Sequence, residues 1–457
     1  MTAEARSLVD AFELHEPGQL VAIVGGGGKS SLMFALAETL PGRVILTTTT
    51  RIFAAQMKAA PAVLFAGPNQ VPDAWPELDR ALDEHGRCLV VGRVVDQKAR
   101  GVSLDLPGRL LARPDVDYVV VEADGSRMRP CKAPAEHEPM IPAEATLVVP
   151  AAGIDALDGP IADVAHRPER VAGLTGLDSS DGLTPETLAY LIGHSSGGLK
   201  AVPPAARVVP MLNKVESQER QTAARQTARF LLRNERVDRV VLGALGTAEP
   251  LREVLSRVTA VVLAAGQSKR MGRTKQMLPW GETTVLGQTL TNLTGSLVHD
   301  VLVVTGHESS AAETVAAELG LATIYNPQYA DGEMISSLQM ALRSMPANRS
   351  AALVILADQP MVKTDTINRL MIAYWQGRGR LVAPEYQGRR GNPVLIDSRY
   401  FPELLTLPSD SAPRTLLRRH PAALFHLPVD DPAVLRDLDR PDDYQRWRPG
   451  KRDAGEH

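Results

Sequence analysis

Short apolar runs rich in β-branched residues recur through the first half of the chain, each closed by polar or turn-forming residues: QLVAIV, RVILTTT, CLVVGRV, YVVVEAD, ATLVVPAA and ARVVPMLN. Longer segments with helical spacing, such as SSLMFALAETL and PETLAYLIG, lie between them. A strand covered on both faces reads as a continuous apolar run, so this alternation predicts βαβ units around a mostly parallel sheet. The rhythm restarts with TAVVLAAG, HDVLVVTG, LATIYNP, AALVILADQP and GRLVAPEY. The chain is therefore read as α/β with two domains, 1–257 and 258–457. No long Ser, Gly or Pro tract separates them, and no short internal repeat is present.

Length agrees with this, since 457 residues exceed one ordinary core. A net charge of -3 with 23% charged residues provides no global field for nucleic acid or an acidic membrane, so anion binding has to be local. The two cysteines, Cys88 and Cys131, are too few for a disulfide framework and too far apart for a metal-ligand pair. Cys131 reads as a small core filler. No run approaches the roughly 18 apolar residues of a membrane span, and residues 1–19 lack a signal-peptide core. A cytoplasmic protein is expected.

Candidate chemistry begins at VAIVGGGGKSSLMF, residues 21–34. A glycine-rich turn from a strand into a helix aims backbone N–H groups at a phosphate, and a lysine reaches the outer phosphates. Gly25, Gly26, Gly27, Gly28, Lys29 and Ser30 are the candidate cradle of a P-loop-like domain, although the full G-x-x-x-x-G-K-[ST] pattern would want glycine where Ile23 stands. YVVVEADGS ends a strand in Glu122 and Asp124, the candidate acids for Mg²⁺, and Thr47 to Thr50 supply hydroxyls at another strand end. In open α/β sheets that rim is the ligand crevice. LNKVE at 212–216 is similar to the N-K-x-D base-reading segment with Glu216 in place of Asp, making Asn213 and Lys214 candidates. A solvated loop after a strand is the alternative. ATP or GTP is the candidate nucleotide.

The blocks GGGGKSSLM, TTTTRIF, VEADGSRMRPCKAPAEHEPMIP, GIDAL, AHRPERV and PMLNKVE, in this order, resemble the YqeC family over about residues 10–255. The resemblance implies a nucleotide-dependent accessory role in maturing selenium-dependent molybdenum hydroxylases, with an apo-hydroxylase as candidate partner. Lys132, His137 and Glu138, in a proline-bracketed stretch after the Glu122 strand, are candidate ligand contacts, with a salt-bridged surface loop as the alternative.

The second candidate site opens at VVLAAGQSKRMGRTK, residues 261–275. Leu263, Ala264, Ala265 and Gly266 let the main chain approach a nucleotide closely, and Arg270 and Lys275 are placed to neutralise a departing pyrophosphate. Asp358, at the end of LVILAD, and Asp437, in RDLDRPDD, are candidate Mg²⁺ ligands, with helix capping as the alternative for one of the late aspartates.

LAAGQSKRMGRTKQMLPWG, NPQYADGEMISSL, ADQP, GNPVLID and DLDRPDDY closely resemble the MobA-like nucleotidyltransferases, in particular their CTP:molybdopterin cytidylyltransferase branch, over about residues 258–447. The resemblance implies a Rossmann-like nucleotidyltransferase domain using Mg²⁺, CTP and molybdopterin. The guanylyl-transferring relatives carry LAGG where this chain has LAAG, so Ala265 favours cytosine. In SDSAPRTLL, Asp410 and Arg414 match a GD-x-GAR segment while Ser409 and Pro413 depart from it. Asn392 replaces a commoner histidine and can still donate to a phosphate or pterin oxygen.

The leading expectation is a bifunctional maturation enzyme: CMP transfer from CTP to molybdopterin in the second domain, and Mg²⁺-dependent nucleotide binding with slow hydrolysis in the first. Two alternatives stay open, a nucleotide-switched cofactor chaperone and a nucleotidyltransferase acting on a sugar or polyol phosphate.

Overall fold

The computed structural model describes residues 6–449 except 68–69, 96–97, 269–270, 273, 331–333 and 410. Two compact units divide the chain, one spanning Arg6–Leu255 and one running from Ser256 onward.

In the first unit the strands are β1 (Gln19–Gly25), β2 (Val44–Thr48), β3 (Ile52–Phe53), β4 (Val63–Phe65) and β5 (Arg87–Val91). Next come β6 (Val94–Val95), β7 (Lys98–Ala99), β8 (Tyr118–Glu122), β9 (Cys131–Lys132) and β10 (Leu147–Gly153). The last are β11 (Ala165–His166), β12 (Arg207–Val208), β13 (Met211–Asn213), β14 (Arg239–Gly243) and β15 (Leu251–Ser256). The main sheet runs β15-β14-β13-β10-β1-β8-β2-β5-β4, with β12 beside β10. From β14 through to β4 the pairings are parallel.

β1 shows why the apolar runs are unbroken. Leu20, Ala22 and Val24 enter one core, while Val21 and Ile23 enter the core on the opposite face. Each Leu, Ile or Val among them contributes roughly 1.5–3 kcal/mol on full burial. Because β1 lies between β8 and β10, the chain leaves the sheet in opposite directions on its two sides, opening a crevice at the strands' carboxyl ends. The register Ile23↔Glu122 and Thr48↔Glu122 brings the ends of β1, β8 and β2 to that crevice. A small antiparallel sheet, β3-β7-β6, forms beside the main one.

The second unit contains β16 (Val258–Leu263), β17 (Pro279–Trp280), β18 (Thr283–Thr284), β19 (Asp300–Thr305) and β20 (Ala322–Tyr325). It continues with β21 (Ala351–Leu356), β22 (Leu381–Tyr386), β23 (Arg389–Arg390), β24 (Val394–Asp397) and β25 (Leu424–Pro428). Its sheet runs β20-β19-β16-β21-β24-β22-β23, with β25 beside β22. The β20, β19, β16 and β21 half is parallel, whereas β24 runs antiparallel to both neighbours. GNPVLID therefore contains a central strand, which the apolar runs picked out in the sequence did not include. No described helix is long and apolar enough to cross a membrane. Both cysteines are free and buried.

Candidate functional sites

The glycine run joins β1 to the helix Lys29–Thr39, with Gly28 as N-cap at φ 116°. Gly27 sits at φ 64°, and a Cβ there would strike the backbone of Gly153; one on Gly28 would strike the Asn213 amide. Only glycine fits these two positions. Three of the loop N–H groups are already committed. Gly25 donates to Asp124 at 3.0 and 3.1 Å, Gly26 to the Ala151 carbonyl at 2.8 Å, and Gly27 to the Arg129 carbonyl at 3.1 Å. The opening helical turn has no intrahelical acceptors for its N–H groups, so of the run Gly25–Ser30 only the later part, Gly28, Lys29 and Ser30, could offer N–H groups to an anion.

Lys29 is buried and folds back, donating from Nζ to the Gly25 carbonyl at 2.8 Å, with Asp124 at 3.4 Å and Glu122 at 3.8 Å. Ser30 Oγ donates to Glu122 Oε2 at 2.7 Å and accepts from Gln56 Nε2 at 3.1 Å. Burial pushes the Glu122 carboxyl above its usual range, against the pull of Lys29 and Ser30. The two acids differ in surroundings: Glu122 faces a hydroxyl, while Asp124 is held by the Gly25 N–H, Lys29 and Lys132.

Lys132 is buried too, and its Nζ donates to the Gly125 carbonyl at 2.7 Å and to Glu138 at 2.8 Å. Arg167 adds 2.6 and 3.2 Å bonds to the two Glu138 oxygens. Burial opposes ionisation of Glu138, but the hydrogen bonds from Arg167 and Lys132 outweigh it and hold the carboxyl down at about 2. The proline-bracketed stretch is thus an ion network reaching Asp124, with Glu138 and the exposed His137 lining the cleft. Asn213 is buried; its Nδ2 donates to the Gly27 carbonyl at 2.8 Å and its Oδ1 accepts from the Leu245 N–H at 3.0 Å. Its amide braces the glycine loop and is not a solvated loop residue. Lys214, at φ 63°, pairs with Asp155 at 2.5 Å. Of these groups, Lys29, Ser30, Glu122, Glu138, Arg167 and Lys214 line a cleft of about 1190 Å³.

In the second unit the end of β16 borders a pocket of about 350 Å³. Leu263, Ala265, Gly266, Lys275, Asp358 and Asp437 all line it, while Ala264 is buried and gives its N–H to the Val304 carbonyl at 2.9 Å. Lys275 Nζ bonds Asp358 closely and Asp439 at 2.8 Å. Burial works against its charge, yet those two carboxylates outweigh it and hold the ammonium above the usual lysine range. Gln359 Nε2 donates to Asp437 at 2.7 Å. Burial first, and then the Asp358 charge, push Asp437 up to about 6. Among the described residues no three His, Cys, Asp or Glu side chains form a metal-binding group.

Asn392 and Arg414 do not line this pocket among the described residues. Asn392 gives its N–H to the Val434 carbonyl at 2.9 Å, and Arg414 starts the short helix Arg414–Arg419. Arg270 and Asp410 lie outside the described residues.

Residues 21–169 match the family described as YqeC protein, and residues 260–424 match the MobA-like NTP transferase domain. An uncharacterized YqeC protein of Escherichia coli K12 is 32% identical over 49% of this chain and 86% of its own length. The chain is a YqeC-family domain followed by a MobA-like NTP transferase domain. The molybdenum cofactor cytidylyltransferase of the same organism is 25% identical to the MobA-like half, over 42% of this chain and 95% of its own. The nicotine blue oxidoreductase of Paenarthrobacter nicotinovorans is 31% identical over 40% and 92%. The MobA-like domain makes this chain a nucleotidyltransferase.

Several residues of the two domains escaped the sequence reading. In the MobA-like domain, Ser268 Oγ accepts the Lys275 N–H at 3.1 Å and donates to Gln276 Oε1 at 3.1 Å, and Gln276 Nε2 returns to the Gly266 carbonyl at 3.3 Å. These three links fold the small-residue turn back on Lys275. Ser and Gln have too many ordinary surface roles for spacing to single them out. In the YqeC-family domain, Arg167 was visible only as part of AHRPERV, since nothing in sequence ties it to Glu138, 29 residues earlier.

Proposed function

We propose that the MobA-like domain transfers CMP from CTP to molybdopterin, giving molybdopterin cytosine dinucleotide and pyrophosphate. The observation that carries this is the cluster of Lys275, Asp358, Asp437 and Asp439 facing the Ala265–Gly266 turn in one pocket. An oxygen of the molybdopterin phosphate attacks the α-phosphorus of CTP, the bond from that phosphorus to the bridging oxygen breaks, and pyrophosphate leaves. Little covalent help is needed, so positioning and charge neutralisation are the protein's task.

The small turn seats the nucleotide against β16. Lys275, with its ammonium kept charged, neutralises phosphate oxygens, joined by Arg270 in the proposed scheme. Two hard carboxylates are a fitting donor set for Mg²⁺, which commonly takes one or two carboxylates and completes its shell with substrate phosphates and water. Burial and then the Asp358 charge raise Asp437, so a cation held by these two carboxylates would relieve an existing cost. When bound, Mg²⁺ would neutralise charge at the α-phosphate. Full-length similarity to a molybdenum cofactor cytidylyltransferase supports molybdopterin as acceptor over a sugar phosphate, and Ala265 supports cytosine.

For the YqeC-family domain we propose Mg²⁺-dependent binding of ATP or GTP, with Gly28, Lys29 and Ser30 at the phosphates and Ser30 with Glu122 as the metal pair. The fusion supports a role in handling the same cofactor before an apo molybdenum hydroxylase receives it.

Pyrophosphate release by the purified chain with Mg²⁺ and molybdopterin, comparing CTP, GTP, ATP and UTP, tests the first proposal. Release selective for CTP and lost in Asp358→Ala is expected. Equal release from that variant removes Asp358 from the reaction, and release with GTP alone overturns the choice of base.

A further inference from the structure

The cleft of the YqeC-family domain is larger and more cationic than a nucleotide triphosphate requires. At about 1190 Å³ it exceeds the roughly 300–1,000 Å³ usual for a small-molecule site. Six lysine and arginine side chains line it against two carboxylates, Glu122 and Glu138. Lys29, Arg167 and Lys214 are tied to acids. Among the described residues, Arg51 and Arg127 make no ion pair and are exposed within the cleft wall.

These two arginines belong together by topology. β2 and β8 are neighbours with Thr48 opposite Glu122, so the loops carrying Arg51 and Arg127 leave the sheet side by side. Arg51 follows β2 and Arg127 follows β8, and both line the same cleft as Gly27 and Gly28; just beyond Arg127 the Arg129 carbonyl accepts the Gly27 N–H at 3.1 Å. The backbone is unusual on the same wall. Arg127, Met128 and Arg167 have φ of 49°, 63° and 64°, a region non-glycine residues seldom adopt and which clusters at ligand sites. His166 joins them in the cleft lining. Burial and the nearby Arg167, Lys132 and Arg127 push its imidazole down to about 4, so at neutral pH it offers one N–H donor and no added charge.

We propose that this cleft binds a second ligand beside the nucleotide, a small phosphomonoester whose phosphate is gripped by Arg51 and Arg127 while His166 donates its ring N–H to a phosphate oxygen. A phosphomonoester carries about -1.5 to -2 charges near pH 7, and guanidinium forks match its oxygens bidentately. The proposal rests on the nucleotide reading of the cleft, and makes the domain a two-substrate site instead of a simple hydrolase.

The test is calorimetric titration of the full chain with phenyl phosphate, with phenol as the uncharged control, before and after saturation with a non-hydrolysable ATP analogue and Mg²⁺. Phenyl phosphate is expected to bind the nucleotide-loaded protein, and Arg51→Gln/Arg127→Gln should weaken it about tenfold or more, as loss of charge-assisted hydrogen bonds implies. Nucleotide affinity should stay within about twofold in that variant and vanish in Lys29→Ala. Phosphate bound in the second domain would persist in the double variant and cannot imitate this result. Competition between phenyl phosphate and nucleotide, or equal binding by wild type and double variant, overturns the proposal. Arginine-dependent phenyl phosphate binding without any nucleotide binding would instead sink the nucleotide reading and keep the subsite.

Discussion

The Asn213 side chain joins the glycine loop to the β14 loop, with its amide nitrogen 2.8 Å from the Gly27 carbonyl and its oxygen 3.0 Å from the Leu245 nitrogen. Both ends are used by the protein, so Asn213 fixes the loop without needing to touch ligand. Asn213→Ala should therefore weaken ATP or GTP binding by about tenfold or more, the cost of freeing buried polar groups. Titration of the nucleotide against the variant checks this. Unchanged affinity would mean the loop holds its shape unaided.

The Ser30–Glu122 bond makes a second prediction. If this hydroxyl and carboxylate share Mg²⁺, Ser30→Ala and Glu122→Gln should each erase most of the Mg²⁺ dependence of nucleotide binding, and the double variant should add little. Binding measured with Mg²⁺ and with EDTA reads it. Full additivity of the two changes would place the metal elsewhere.

In the MobA-like domain, Lys275 is the counter-charge for Asp358 and Asp439 as well as a proposed phosphate ligand. Lys275→Met leaves the buried Asp358 without its ammonium, so unfolding of this domain should become easier by about 3–5 kcal/mol, the range for breaking a buried pair from one side. Lys275→Met/Asp358→Asn should recover part of that loss without recovering turnover. Thermal unfolding followed beside pyrophosphate release separates the two roles.

Glu138 predicts a particular acid sensitivity. Its folded pKa of about 2 lies below the ordinary glutamate value of about 4.3, so its contribution is present above about 4.3 and is lost as pH falls through about 2. Glu138→Gln should cost on the order of 3 kcal/mol at pH 7, with the gap from wild type closing across that acid window. Denaturant unfolding at several pH values measures it. A gap independent of pH would show that shape, and not charge, is what Glu138 supplies.

Much of the architecture was legible because the apolar runs were long and doubly buried. QLVAIV, YVVVEAD and AALVILAD became β1, β8 and β21, with Glu122 at one strand end and Asp358 just beyond another. Strands that are short or follow proline were not legible: β24 comes directly after Pro393, and β25 is only half covered. The glycine run showed that a loop would form, but not that Gly25, Gly26 and Gly27 would spend their N–H groups on the protein itself. Those acceptors, on Asp124, Ala151 and Arg129, come from roughly a hundred residues further along and leave no local pattern. The Lys132–Glu138 pair, six residues apart, is the salt bridge that the alternative reading of this stretch allowed, whereas Arg167 joins Glu138 from 29 residues further along and leaves no local pattern.

The place of β1 in its sheet also governs how the chain reaches this state. β1 emerges before both of its partners, since it pairs with residues 118–122 and 147–151. During translation it must wait, apolar on both faces, until about 125 more residues have emerged. Contacts this distant in sequence slow folding, since the loop between them has to close before it is rewarded. The crevice at β1 is thus assembled late, and truncation before β10 would leave the nucleotide loop attached to an unpaired, aggregation-prone strand.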